Sequence, residues 1–144
     1  VVEDHPDCRG LVKIVLSRLG YVVIEAGTGQ EALERVSESS FDLIVMDFGL
    51  PGMTGDKLIM RFKGDPSTAR IPVIVTTGYM DTQVAKRAIA AGAESVLLKP
   101  YDMDELVDAM KRCLSPQADR EPLLTAVVAD QLAVDDRRYF DDSN

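Results

Sequence analysis

The chain has a single histidine and two cysteines among its 144 residues. Cys8 and Cys113 follow no C-x-x-C or zinc-ligand spacing, and His5 has no second imidazole with which to share a metal, which makes it a rim residue in expectation. A histidine- or cysteine-based metal centre is therefore excluded. Each cysteine falls on an apolar helical face, so both are expected as buried free thiols, in keeping with a reducing compartment. No apolar run approaches the roughly 20 residues that cross a bilayer, and no basic segment followed by an apolar one opens the chain. The expected location is the cytoplasm, with no membrane partner. Basic charge is also scarce: the formal net charge is −8, which leaves no footprint for direct nucleic-acid binding. Finally, no G-x-G-x-x-G loop occurs, and His5 is followed by Pro6 and Asp7. The letters Asp47-Phe48-Gly49 in "VMDFGLPGMTG" thus lack the phosphate loop and the His-Arg-Asp loop that would make them part of a protein kinase.

What is present suits one globular domain: 46% apolar residues with a mean hydropathy of −0.01. Residues 1–115 carry 13 basic and 17 acidic groups, and residues 116–144 carry 3 and 7, so the tail is the more acidic part per residue. The first residue, Val1, stands inside an apolar stretch, as expected of a piece of a longer chain. Short β-branched runs alternate with amphipathic segments, the pattern of a parallel sheet covered by helices on both faces. The runs are Val1 to Glu3, Tyr21 to Glu25, Leu43 to Asp47, Val73 to Thr76 and Ser95 to Leu98. Between them, helical spacing joins Leu11, Val12, Val15, Leu16 and Leu19, then Ala32, Leu33 and Val36, then Leu58, Ile59 and Phe62, then Val84, Ala88 and Ile89. Leu106, Val107, Met110, Cys113 and Leu114 form a fifth stripe, ended by Ser115-Pro116. Turns are expected at Gly20, at Gly27 to Gly29, at Pro51 to Gly55 and at Gly92.

In an open α/β sheet, ligands bind beyond the carboxyl ends of the strands. Glu3 and Asp4 end the first run, Asp47 the third, Thr76 and Thr77 the fourth, and Lys99 follows the fifth. Thr76 is expected to face the core or the sheet and Thr77, followed by Gly78, to face the site. Carboxylates gathered at one edge repel one another unless a cation intervenes. A hard divalent ion with oxygen ligands answers that need, and magnesium, which keeps several waters, asks for few protein ligands. Gly52 and Gly55 with Pro51 let the loop after Asp47 turn back on the site. Tyr79 and Tyr101 lie near the rim, as partner contacts or as ordinary aromatics.

With those residues in order, the chain resembles the receiver domains of two-component response regulators from about residue 1 to residue 115. The resemblance rests on the acidic pair Glu3-Asp4, Asp47 in "VMDFGLPGMTG", Thr77-Gly78 after "PVIVT", and Lys99-Pro100. It implies a doubly wound, flavodoxin-like (βα)5 sandwich with a five-stranded parallel sheet in the order 2-1-3-4-5. It further implies that Asp47 accepts a phosphoryl group from a sensor histidine kinase or a histidine phosphotransfer protein. Mg2+ would be held by Asp4 and Asp47, by the backbone carbonyl of Gly49, and by Glu3 mostly through water. Lys99 would pair with the aspartyl phosphate, the Thr77 hydroxyl would move to a phosphoryl oxygen, and a downstream effector protein would sense the change. Such a domain is a switch, not an enzyme acting on outside substrates.

Two other classes compete. Haloacid dehalogenase-like phosphatases also use a strand-end aspartate, but their D-x-D pattern meets Gly49 here, which leaves no general acid. A receiver that takes no phosphate and serves as an interaction domain is the other. The intact Glu3, Asp4, Asp47, Thr77 and Lys99 argue against it; Val96 bears instead on the readout through the fourth helix, fifth strand and fifth helix, because receivers usually place Tyr or Phe three residues before the Lys-Pro pair. Two further expectations concern geometry. The Lys99-Pro100 bond is expected cis, since the chain must turn there while aiming Lys99 at Asp47. Residues 116–144 are expected as an acidic extension, with a short helix over residues 121–133 whose Leu123, Leu124, Val127, Val128 and Leu132 would serve docking or a homodimer.

Overall fold

The computed structural model describes residues 1–78 and 82–114, and the backbone of 125–130. Strands and helices alternate: β1 (Val2–Glu3), α1 (Pro6–Arg18), β2 (Val22–Ala26), α2 (Gly29–Glu38), β3 (Leu43–Asp47), α3 (Gly55–Gly64), β4 (Val73–Thr77), α4 (Thr82–Ala91), β5 (Ser95–Leu98) and α5 (Met103–Leu114). A further strand, β6 (Thr125–Asp130), joins the same sheet. Every pairing is parallel.

Strands β3, β4 and β5 are buried along their whole length, as strands covered on both faces must be. Their side chains divide by parity. Ile44, Met46, Val73, Val75 and Val96 join the core under α2, α3 and α4. Leu43, Val45, Ile74 and Leu97 join the core under α1 and α5. A period of two thus places one apolar set against each helical layer. Local signals fix where helices start. Asp102 and Glu105 exchange side-chain bonds with each other's backbone N–H at the head of α5, at 2.9 and 3.0 Å, a reciprocal capping box. Thr28 accepts from Glu31 N–H to open α2. Positive φ angles at Gly20, Gly52 and Gly92 bear out the turn assignments there. The Lys99-Pro100 bond is cis, as expected.

The order 2-1-3-4-5 holds, with the place between β2 and β3 shared by two strands. β1 pairs with β2 through Val2 and Ala26 and also lies against β3. β6 pairs with β2 from Val22 to Ala26 and meets β3 at Leu43. The helix expected over residues 121–133 is therefore corrected for 125–130, which form a strand; the rest of that stretch lies outside the described residues. The physical reason is that a two-residue β1 satisfies little of β2, whose backbone groups need a ladder partner.

Two burial expectations also change. Cys8 is exposed and Cys113 half-buried, both as free thiols. On α1 only Val12 and Leu16 are fully buried, while Leu11 and Leu19 are more than half exposed. Cys8 sits in the first turn of α1, within a stretch exposed from Asp4 to Cys8. Among the described residues, no helix is long and apolar enough to cross a membrane.

Candidate functional site

Four strand ends build the site. Glu3 closes β1 and Asp4 follows it, Asp47 closes β3, Thr77 closes β4, and Lys99 comes one residue after β5. Because the strands are parallel, all of these groups reach the same edge. Neighbouring strand ends are tied by backbone bonds: Phe48 N–H donates to Thr76 O and Lys99 N–H to Thr77 O, each at 2.8 Å. The side chains are thereby set on a rigid frame.

Asp47 is almost wholly buried, with 1% of its surface exposed. Lys99 Nζ donates to Asp47 Oδ2 at 2.8 Å and stands 3.7 Å from Glu3 Oε1. Gly49 N–H donates to Asp47 Oδ1 at 2.9 Å. The ammonium thus sits between two buried carboxyl groups while the loop closes over one of them. Thr76 and Thr77 are both buried, and the Thr76 hydroxyl donates to Met46 O at 3.5 Å, which turns it toward β3 as expected. His5 is exposed on the rim. Tyr101 is half-buried beside the site; burial, then the charges of Glu3 and Asp47, push its phenol pKa up. Tyr79 lies outside the described residues.

Burial dominates the proton affinities. It pushes the Glu3 pKa up to about 10, with Lys99 opposing and the Asp47 and Asp4 charges adding to the rise. It pushes Asp47 up to about 7, against the Lys99 charge and the bonds from Lys99 and Gly49. Asp4 is raised too, by burial offset by His5, Lys99 and Arg9. One lysine does not offset the burial of this edge, so the proton affinities of its carboxyl groups stay raised.

Glu3 Oε2 is buried and has no hydrogen-bond partner. An orphaned carboxylate oxygen beside other oxygen donors suits a hard cation, and Glu3, Asp4, Asp47 and the Gly49 carbonyl are all oxygen donors. Among the described residues, no three acidic, histidine or cysteine side chains are already drawn into a metal cage. Asp4 is exposed, so a cation would gather it to the buried pair.

Arg9 was not singled out in the sequence. Its Nη1 donates to Glu3 O at 2.6 Å and its Nε to Glu25 at 3.1 Å, while Lys13 reaches the same Glu25 carboxylate. Arg9 therefore pins the acidic turn to the end of β2. The signal was available: Arg9 and Lys13 are one helical turn apart, with Glu25 at the end of the next strand.

A sequence model of the response regulator receiver domain matches residues 1–111. The chain is 32% identical to sporulation initiation phosphotransferase F of Bacillus subtilis over 114 residues, 79% of this chain and 90% of that protein. It is 41% identical to transcriptional regulatory protein CrdR of Helicobacter pylori over 112 residues, 78% of this chain but 52% of that protein. A match to the gliding motility regulatory protein of Myxococcus xanthus spans only 13% of that protein. Among solved structures, the signal receiver domain of a histidine kinase from Syntrophus aciditrophicus superposes with a TM-score of 0.76 at 33% identity, covering 85% of this chain and 92% of that one. A response regulator from Chloroflexus aurantiacus gives 0.75 at 32% identity, over 79% and 93%. With a family model matching residues 1–111 and relatives of this identity and fold, the chain belongs to the response regulator receiver domain family.

Proposed function

We propose that this domain is a phosphorylation-dependent switch in which Asp47 accepts a phosphoryl group from a phosphohistidine on a sensor histidine kinase or a histidine phosphotransfer protein. The observation that carries it is the buried Asp47 carboxylate held at 2.8 Å by Lys99, beside the orphaned oxygen of Glu3. In the transfer, an Asp47 oxygen attacks phosphorus in line, the O–P bond forms, and the P–N bond breaks with its electron pair leaving on the imidazole. Lys99 offsets charge on the phosphoryl oxygens, and Gly49 N–H, already aimed at the carboxylate, adds a fixed dipole. The Thr77 hydroxyl, at the end of β4, would move to a phosphoryl oxygen and carry the change toward α4.

Glu3, Asp4, Asp47 and the Gly49 carbonyl would hold Mg2+. When bound, the ion supplies neutralisation of the three carboxylates and of the incoming dianion. Receiver domains are signalling domains, and this site offers no second acid for turnover on outside substrates: Gly49 stands where a D-x-D phosphatase carries one. We assign the receiver to residues 1–115, with 116–144 as an extension, and a downstream effector protein as the partner that reads the switch.

The test is incubation with acetyl phosphate, with and without Mg2+, followed by intact mass. An adduct of one phosphoryl group that requires Mg2+ and is lost in Asp47→Asn is the expected result. Equal labelling of Asp47→Asn, or no labelling of the wild type, leaves a receiver-shaped interaction domain and overturns the assignment.

A further inference from the structure

The aromatic ring that touches the phosphoacceptor loop belongs to Phe48, not to residue 96. Val96 is a wholly buried aliphatic in the core beneath α4, and it has no polar or planar group with which to report on the site. Phe48 is the next residue after Asp47. Its N–H donates to Thr76 O, and its carbonyl accepts from Gly55 N–H at 2.9 Å. That second bond closes the loop of residues 48–55, and it requires glycine at 55, where a Cβ would stand 2.7 Å from Phe48 Cα.

Both ends of this loop are held by one side chain of α4. The Arg87 guanidinium lies over the Phe48 ring, 5.3 Å from its centroid. Arg87 Nη2 and Nε donate to Asp56 Oδ2 at 2.7 and 3.2 Å, and Asp56 stands in the first turn of α3, where the loop ends. Burial would raise the Asp56 pKa, yet bonds from Thr54 and Arg87 and the Arg87 charge outweigh it and hold the carboxyl below its ordinary value. An ion pair this exposed adds little stability on its own. Its significance is positional, because guanidinium, ring and carboxylate meet where the phosphoacceptor loop faces α4.

We propose that Arg87 is a positioning residue that couples the Asp47 loop to α4 through Phe48 and Asp56, supplying the readout that Val96 cannot. The proposal rests on Asp47 being phosphorylated. A phosphoryl group brings about −1.5 to −2 charge and three acceptor oxygens to a site whose nearest loop donor is Gly49 N–H. Phe48 is bonded to Asp47 and cannot stay fixed when that loop adjusts. A shifted ring and α3 terminus give Arg87 a different seat, and a helix moves only as far as such differential contacts bias it.

The experiment is hydrogen–deuterium exchange of the α4 amides in the full chain, unphosphorylated and after acetyl phosphate with Mg2+, with intact mass run on the same samples. In the wild type, phosphorylation is expected to change exchange rates in α4 by at least about fivefold. Arg87→Met and Asp56→Asn are each expected to label as well as wild type but to shrink that change below about twofold, and the reversed pair Asp56→Arg with Arg87→Asp to restore part of it. A merely structural ion pair would alter exchange equally in both states and leave the phosphorylation-linked difference intact. Labelled Arg87→Met or Asp56→Asn with the full wild-type response overturns the coupling, as does a labelled wild type with no α4 response. Absence of labelling in the wild type overturns the phosphoacceptor assignment itself.

Discussion

Two lysines sit at opposite ends of the sheet and meet opposite fates. At the end away from the site, Lys63 of α3 donates to Ile71 O at 2.8 Å, to Ala69 O at 3.3 Å and to Glu94 Oε2 at 3.4 Å. Glu94 Oε1 in turn accepts from Val73 N–H at 2.7 Å, at the first residue of β4. The Lys63 stem runs so close to Gly92 that a Cβ there would come within 2.8 Å of it. Every donor in this cluster has its acceptor. At the site, Lys99 faces two buried carboxyl groups whose proton affinities stay high and one oxygen that no donor reaches. The first arrangement holds the fold; the second leaves a buried carboxyl oxygen without a partner, which is where the proposed cation would act.

Chelation of Mg2+ should separate the two ends most sharply. With the ion removed, the rate of Asp47 labelling by acetyl phosphate is expected to fall by at least about two orders of magnitude, the scale of losing a major electrostatic contribution to phosphoryl transfer. Melting of a Lys63→Met variant should respond to chelator no differently from wild type. Labelling indifferent to chelator would erase the distinction drawn between the two lysines.

Replacing each lysine comes next in size. Lys63→Met leaves two carbonyls and Glu94 without their donor and should cost about 1–2 kcal/mol in denaturant unfolding, with labelling at Asp47 unchanged. Lys99→Met should do the reverse. In metal-free protein near pH 6 its carboxyl partners can take up protons, so stability changes little, while the labelled protein loses its phosphorylation-linked response. Equal destabilisation by both substitutions would count against a functional role for Lys99.

Much of this was legible in the sequence, for identifiable reasons. The runs at 43–47, 73–76 and 95–98 announce buried parallel strands because both faces are covered, and parallel strands bring Glu3, Asp47, Thr77 and Lys99 to one edge without further information. What escaped depends on contacts distant in sequence. Arg87 and Phe48 belong to different helix and loop segments, and nothing in either says that they stack. Cys8 shares a helical stripe with Val12 and Leu16, but periodicity does not say that the stripe's first turn is exposed. Residues 125–130 fit helical spacing through Val127, Val128 and Leu132, and equally a β-branched strand. Periodicity alone does not choose between them; the ladder partner that β2 lacked did.

The effect of pH is smaller and has opposite signs at the two kinds of carboxylate. In metal-free protein, Asp47 goes from an ordinary 3.8 to about 7 and Glu3 from 4.5 to about 10. The folded state therefore keeps protons that the unfolded state has released, and stability is lost as pH rises through that window. Glu25 behaves oppositely. Burial would raise its pKa, but Lys13 and Arg9 pull it down, so its contribution is lost as pH falls toward the acid range. Melting temperature in EDTA should thus peak on the acid side of neutrality. Addition of Mg2+ should raise it most at alkaline pH, where fewer protons need to be displaced. A melting curve that rises steadily from pH 6 to pH 9 without metal would contradict the buried-proton account of the site.

The finest test sets one substitution against its counterpart at the other end. Glu94→Gln keeps an oxygen for Val73 N–H and gives up only the ionic contact to Lys63, on a side chain that is 42% exposed. Pairs of that kind are worth about 0–1 kcal/mol, so a loss of a few tenths is expected, fading with added salt. Glu3→Gln makes the same change of carboxyl to amide where the carboxyl is buried and only partly neutralised. In metal-free protein at pH 8 it should therefore raise the melting temperature, because the amide carries no proton to lose and no charge to bury. Its cost should appear only on addition of Mg2+, as a smaller metal-induced rise than in wild type. Two Glu→Gln exchanges with opposite effects on stability are what a satisfied carboxylate at Glu94 and an unsatisfied one at Glu3 require. If Glu3→Gln destabilised the metal-free protein as Glu94→Gln does, the Glu3 carboxylate would be as well satisfied as Glu94, and its orphaned oxygen would no longer argue for a bound cation.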